Sequence, residues 1–146
     1  SRQPPNAGGR AMMDFPAELG GFLKEGKADE ALAPVIGPLE ASLGHLQQAT
    51  MWFMQNAMAK PDNAGAGSTD YMHLFGLVVI GYMWAKIAKA AQDGLANGDS
   101  AREDYLKNKL VTARFYMERI MPETALRKAR IETGADPMME LSAEAF

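Results

Sequence analysis

The chain has 146 residues, 47% of them hydrophobic and 23% charged, the mix of one ordinary globular domain. Its 15 Lys and Arg stand against 18 Asp and Glu, a net charge of −3, which gives no help in holding phosphate backbones and argues against a nucleic-acid partner. There is no cysteine, which excludes disulfides, thiolate metal sites and cysteine nucleophiles; a reducing compartment, the cytoplasm, is the expected setting.

The N-terminus has neither the charged region nor the apolar stretch of a signal peptide. It lacks an initiator Met, and residues 3–9 (Gln-Pro-Pro-Asn-Ala-Gly-Gly) have linker composition. Residues 1–9 are therefore expected to be a linker from an upstream region, not the start of a helix. From Arg10 to Lys24, Met12, Phe15, Leu19, Phe22 and Leu23 recur at steps of three and four, which predicts a first helix with Pro16 inside it or in its first turn.

The second helix carries Leu32, Val35, Ile36, Leu39, Leu43, Leu46, Thr50, Phe53, Met54 and Ala57 on one face. Pro34 and Pro38 lie near its start, and Pro61 stops it at Lys60. Pro61 to Gly67 then reads as a loop, with Ser68, Thr69 or Asp70 capping the third helix. Leu74, Leu77, Val78, Gly81, Trp84, Ala88, Ala91 and Leu95 form that helix's inner stripe, and Trp84 is its expected core anchor. The helix is apolar nearly all round from Leu74 to Ile87, so it is expected to be the most buried element. Its longest apolar run, Leu74 to Ala85, is about a dozen residues, where a bilayer span needs roughly 20. Gly76 and Gly81 predict close approach of a neighbour, and Gly98 ends the helix.

Ser100-Ala-Arg-Glu103 has the form of a capping box for the fourth helix. Leu106, Leu110, Ala113, Met117, Ile120 and Thr124 run down one face, and Glu103/Lys107, Arg114/Glu118 and Arg119/Glu123 are opposite charges at i, i+4. Pro122 should bend this helix, which resumes to Thr133 and ends at Gly134. No strand pattern is present. The expected fold is all-α: an antiparallel up-and-down four-helix bundle over residues 10–134, with residues 135–146 as a short docked C-terminal tail.

The chemistry-bearing residues form no known constellation. His45 and His73 lack the Glu at i−3 that di-iron bundles use, and Asp70-x-x-His73 is a single pair. Both histidines read as helix residues of structural or surface character. Ser42, Ser68, Ser100 and Ser142 read as caps, turns or helix surface rather than nucleophiles. Gly65-Ala66-Gly67 and Gly8-Gly9 have no strand before them, so neither is a dinucleotide fingerprint. Of the 11 methionines, Met51, Met54, Met58, Met83, Met117 and Met121 read as core filler. Met12, Met13, Met138 and Met139 lie toward the ends and read as an adaptable contact surface.

Three blocks together carry a family resemblance. The first is Asp62-Asn63-Ala64-Gly65-Ala66, then Leu74-Phe75-Gly76-Leu77 and Gly81-Tyr82-Met83-Trp84-Ala85-Lys86. The second is Lys109 to Tyr116 followed by Glu118-Arg119-Ile120-Met121-Pro122-Glu123-Thr124, and the third is the tail from Gly134-Ala135-Asp136 to Glu144-Ala145-Phe146. In this order they resemble the extra, acetyl-CoA dehydrogenase C-terminal-like domain of a subset of bacterial acyl-CoA dehydrogenases, similar to 3-methylmercaptopropionyl-CoA dehydrogenase. The resemblance runs from about Gly9 to Phe146.

The resemblance implies a helical accessory domain. FAD, acyl-CoA and the carboxylate base would all belong to upstream domains, so no catalytic, cofactor-binding or metal-binding residue is expected here. The parent reaction would be α,β-desaturation of an acyl-CoA. The expected partners are the catalytic domains of the same chain and further copies in a homo-oligomer, a dimer at its simplest. Interface candidates are Met12, Met13 and Phe15 at one end and Met138, Met139, Leu141 and Phe146 at the other. The alternative is a stand-alone helical protein-interaction module. A membrane-surface role is disfavoured by the acidic balance and mixed charges.

Overall fold

The computed structural model describes the backbone of residues 7–141 and the side chains of residues 14–137, 140 and 141. Six α-helices follow in order: α1 Ala7–Gly26, α2 Ala33–Asn56, α3 Pro61–Ala96, α4 Glu103–Arg119, α5 Glu123–Thr133 and α6 Asp136–Met139. No strand occurs among the described residues. α4 and α5 are the two arms of the bent fourth helix, so α1, α2, α3 and this pair make the all-α four-helix bundle. α3 packs against α2, α4 and α5 and is the centre of the fold.

Contacts along the helices give their directions. Thr50 meets Tyr71 and Asn56 meets Asn63, so α2 and α3 run antiparallel. Tyr116 bonds the Leu77 carbonyl, while Leu106 lies where a side chain on Gly94 would stand, so α3 and α4 also run antiparallel. α1 lies across α3 through Phe15, Phe22 and Tyr82, whose rings meet edge to face at 5.8 and 5.3 Å. The core contains Leu19, Leu39, Leu74, Val78, Met117, Met121 and Ile131, all at 0–1% exposure.

Several boundaries differ from expectation. α1 starts at Ala7, inside the expected linker, because each residue added to an anchored helix gains a hydrogen bond. Pro16 lies in its interior. Asp29 caps a short 3₁₀ turn ahead of α2, its Oδ1 accepting from Ala31 N–H at 3.0 Å. Pro34 occupies the first turn of α2, and the helix ends at Asn56, four residues before Lys60.

The expected loop 61–67 is instead the first two turns of α3. Pro61 starts the helix with its φ already set, directly after the extended Lys60. The breaker residues serve packing. Asn63 is buried, and a Cβ on Gly67 would stand 2.8 Å from the Phe53 ring. Ser68, Thr69 and Asp70 are thus mid-helix and cap nothing. Ser100–Arg102 forms a 3₁₀ turn, and α4 opens at Glu103 without a side-chain cap, so the capping box is not made. Asp99 holds Arg102 at 2.8 Å instead.

Glu103–Lys107 and Arg114–Glu118 pair at 2.7 Å as expected. The turn at Ile120–Pro122 separates Arg119 from Glu123, and Glu123 faces Arg127 at 3.7 Å. Gly98 and Gly134 both have positive φ, +77° and +72°, and close α3 and α5.

α3 is central but not the most covered helix. By length and composition alone it could cross a bilayer: its most apolar 18-residue window has a mean hydropathy of 1.5, more than the run Leu74 to Ala85 implied. Only 39% of that window is buried, and core helices of soluble proteins pass the same test. Trp84 is half-buried at the edge of the core rather than an anchor within it.

The two glycines of α3 also separate. At Gly81 a Cβ would stand 2.9 Å from the Met121 sulfur and 3.4 Å from Leu39. At Gly76 it would meet nothing. Gly76→Ala is therefore expected to gain about 0.5–1 kcal/mol of helix stability, while Gly81→Ala forfeits part or all of that gain, because the end of the Met121 side chain must shift. Urea unfolding of the two variants checks that Gly76→Ala is the more stable.

Candidate functional site

An inward-facing polar cluster joins α2 to the start of α5. Thr124 is fully buried and Ser42 is 2% exposed. Thr124 Oγ1 donates to Ser42 Oγ at 3.2 Å and lies 2.9 Å from His45 Nδ1. Threonine has one hydroxyl proton, and here Ser42 receives it. His45 Nδ1 must then carry the donated proton, which leaves Nε2 as the free acceptor. Burial lowers the His45 pKa below 6.5, and the Lys128 ammonium lowers it further.

A cleft of about 320 Å³ lies over this cluster, lined by Pro38, Ala41, Ser42, His45, Met117 and Pro122 among others. A Ser or Thr beside a His invites a nucleophile–base reading. The geometry opposes it. His45 donates to Thr124 rather than taking its proton, and the Thr124 proton is already given to Ser42. The cluster is a polar stitch that closes the bundle where Pro122 breaks the fourth helix. Ser42 is therefore not helix surface, and His45 does more than occupy a helix face.

The depressed pKa fixes the sign of one pH effect. The unfolded chain binds a proton at His45 near 6.5, before the folded chain does. Its contribution is intact above that pH and is lost as the pH falls through the lowered folded value. Between pH 7.5 and 5.5 the urea midpoint of the native chain should fall further than that of His45→Asn, whose amide still reaches toward Thr124 but does not titrate. Equal falls would remove His45 from the balance.

A second stitch holds the tail. Asn63 Oδ1 accepts from Ala135 N–H at 2.9 Å, and its Nδ2 donates to the Asn56 carbonyl at 3.3 Å. Lys60 pairs with Asp136 at 3.1 Å, and Gly134 lies beside the Trp52 ring. On the opposite edge Arg127 reaches Asp70 at 2.7 Å and ties α5 to α3. That bond occupies the Asp70 carboxylate, and His73 is exposed, so Asp70-x-x-His73 forms no ligand pair. No group of three or more His, Asp or Glu is placed to hold a metal among the described residues.

Of the interface candidates, Phe15 packs inside its own chain, 5.6 Å from the Phe75 ring. Leu141 is 59% exposed. Phe146 and the side chains of Met12, Met13, Met138 and Met139 lie outside the described residues. The methionine assignment is corrected at four positions: Met117 and Met121 are core, but Met51, Met54, Met58 and Met83 are exposed. Periodicity places a residue on a face but does not say that a neighbour covers that face. The exposed apolar side chains include Met72, Ile80, Met83 and Ile87 on α3, Met51 and Met54 on α2, and Tyr105, Val111 and Phe115 on α4.

No curated protein matches the chain. The sequence profile of the acetyl-CoA dehydrogenase C-terminal-like family matches residues 15–142. That stretch contains the bundle from Phe15 onward and both polar stitches. The chain belongs to the acetyl-CoA dehydrogenase C-terminal-like family.

Proposed function

We propose that this chain is a non-catalytic, packing and oligomer-shaping domain of a cytoplasmic, bacterial, FAD-dependent acyl-CoA dehydrogenase. The family match over residues 15–142 carries the reading. The buried polar side chains agree with it, because they are committed to joining one helix to another. Upstream domains would desaturate the acyl-CoA. This domain would cover part of them and limit how copies assemble.

FAD needs donors for its pyrophosphate. Gly65-Ala66-Gly67 lies in the second turn of α3, and the Phe53 ring fills the space at Gly67. These residues do not fit the flavin, and no step of the parent reaction runs through them. The test compares the 146-residue chain with the polypeptide its gene encodes. The gene-length protein should be yellow and oxidise an acyl-CoA; the 146-residue chain should be colourless and inert. Near-stoichiometric flavin on the short chain, or a gene with no flavin domain ahead of this one, would sink the proposal.

A further inference from the structure

From Tyr71 to Ala85 the outer face of α3 carries no Asp, Glu, Lys or Arg and is partly exposed. Met72, Ile80, Met83 and Ile87 lie on it at steps of eight, three and four residues, and are 62%, 46%, 54% and 37% exposed. Gly76 leaves a gap between the first two. Trp84 borders Ile80 and Ile87 at i+4 and i−3 and is half-buried. No Asp, Glu, Lys or Arg occurs from Tyr71 to Ala85. The outer faces of α4 and α5 differ: there Lys107–Glu103, Arg114–Glu118 and Lys128–Glu132 are paired in the manner of solvated helices.

We infer that this stripe on α3 docks against an uncharged, apolar surface of the upstream domains in the same polypeptide, with Trp84 as its anchor. The inference rests on the accessory-domain reading above. Its choice of occupant rests on area. Four side chains, each about half exposed, present on the order of a few hundred Å². A stable pair of free proteins buries roughly 800 Å² on each partner. The stripe is too small to hold two independent copies together. A tethered partner needs far less, because a short linker supplies an effective concentration of about a millimolar.

The position of α1 agrees. Phe15, near its N-terminal half, lies on Phe75 and Tyr82, and Phe22 lies further along on Tyr82. α1 thus lies beside the middle of α3 at Phe15 and Phe22. A bilayer is the weaker occupant: Lys86 and Lys89 are the cations nearest the stripe on α3, and Asp93 pairs Lys89 at 3.0 Å. Half-buried aromatic side chains inside an apolar patch are the usual anchors of protein contacts.

The exposed methionines are built-in probes, since thioether oxidation follows exposure. The gene-length protein is treated with dilute hydrogen peroxide and each methionine is followed by mass spectrometry. Met51 and Met54 on α2 and Met58 in the turn after it serve as internal references, all more than half exposed. Met72 and Met83 should oxidise on the order of tenfold more slowly than these three, at any protein concentration. Equal rates at all five would overturn the inference. Protection lost on dilution would assign the stripe to a second copy, and protection gained only with anionic vesicles would assign it to a membrane; both overturn it. Protection of Met51, Met54 and Met58 instead would move the contact to α2, yet leave the accessory-domain reading standing. Absence of any flavin domain would defeat that reading itself. As a second arm, Ile80→Glu in the gene-length protein should restore Met72 and Met83 oxidation to the reference rate. Phe115→Glu on the exposed face of α4 should not.

Discussion

Leu39→Ala should cost about 3–5 kcal/mol, the upper range for truncating a fully buried leucine. Leu39 is 0% exposed. Its Cδ1 lies 3.4 Å from where a Gly81 Cβ would stand, and the Met121 thioether lies against the same spot. The leucine therefore fills the junction of α2, α3 and the turn between α4 and α5. Three helices meet there, so none can close the space without leaving its other contacts. Only Met121 is pliable enough to move in, and its buried sulfur recovers part of the loss. Val111→Ala is the control. Val111 is exposed on α4, and its loss should stay within about 0.5 kcal/mol. Urea unfolding of both variants checks the contrast. A loss below about 1 kcal/mol at Leu39 would place it outside the core.

Leu39 was legible in the sequence because Leu32, Val35, Ile36, Leu39, Leu43 and Leu46 keep one face of a single helix. The stops at Gly98 and Gly134 were legible too, since left-handed backbone at a helix end favours glycine. The break at Pro122 followed from its missing N–H. Failure came where local composition serves a distant neighbour. Asn63, Gly65 and Gly67 look like loop, yet Asn63 bonds Ala135, 72 positions away, and Gly67 admits Phe53. His45 and Thr124 are 79 positions apart, so no spacing rule joins them. Met51, Met54 and Met58 sit at helical steps, but α2 is apolar beyond one face, and its pattern does not say which side remains open.

That open side bears on function. α4 and α5 pair several of their outer charges along the same helix. The polar groups inside are used to fasten α2 to α5 and α3 to the tail. Uncommitted apolar surface remains on α2 and α3, with Tyr105, Val111 and Phe115 also exposed on α4. A domain built this way has rigidity and a dry face to offer, which is what an accessory domain supplies. The sequence reading placed that face on α1 and the tail, where Phe146 and the side chains of Met12, Met13, Met138 and Met139 lie outside the described residues; among the described residues an exposed apolar stripe lies on α3.

Alkaline pH should weaken the fold through Tyr116 by roughly 2–3 kcal/mol between pH 10 and 12. Tyr116 is 6% exposed, and its hydroxyl donates to the Leu77 carbonyl at 2.8 Å, joining α4 to α3. Burial pushes its pKa up from 10 to about 12, and the Glu123 carboxylate pushes in the same direction. Below pH 10 the folded and unfolded chains both keep this proton, so its contribution is fully present. From pH 10 upward the unfolded chain releases the proton while the folded chain holds it. Stability therefore falls with rising pH until the folded phenol also ionises, near 12. Tyr82 is shifted upward as well, by burial and by its bond to Glu18, so the native curve alone does not isolate Tyr116. Tyr116→Phe does. At pH 8 the variant should be less stable by about 1 kcal/mol, the value of one hydrogen bond. Above pH 10 the gap should close and then reverse, because phenylalanine has no proton to lose. Parallel stability curves for the two proteins from pH 8 to 11.5, or phenolate absorbance showing Tyr116 ionising near pH 10, would defeat the prediction.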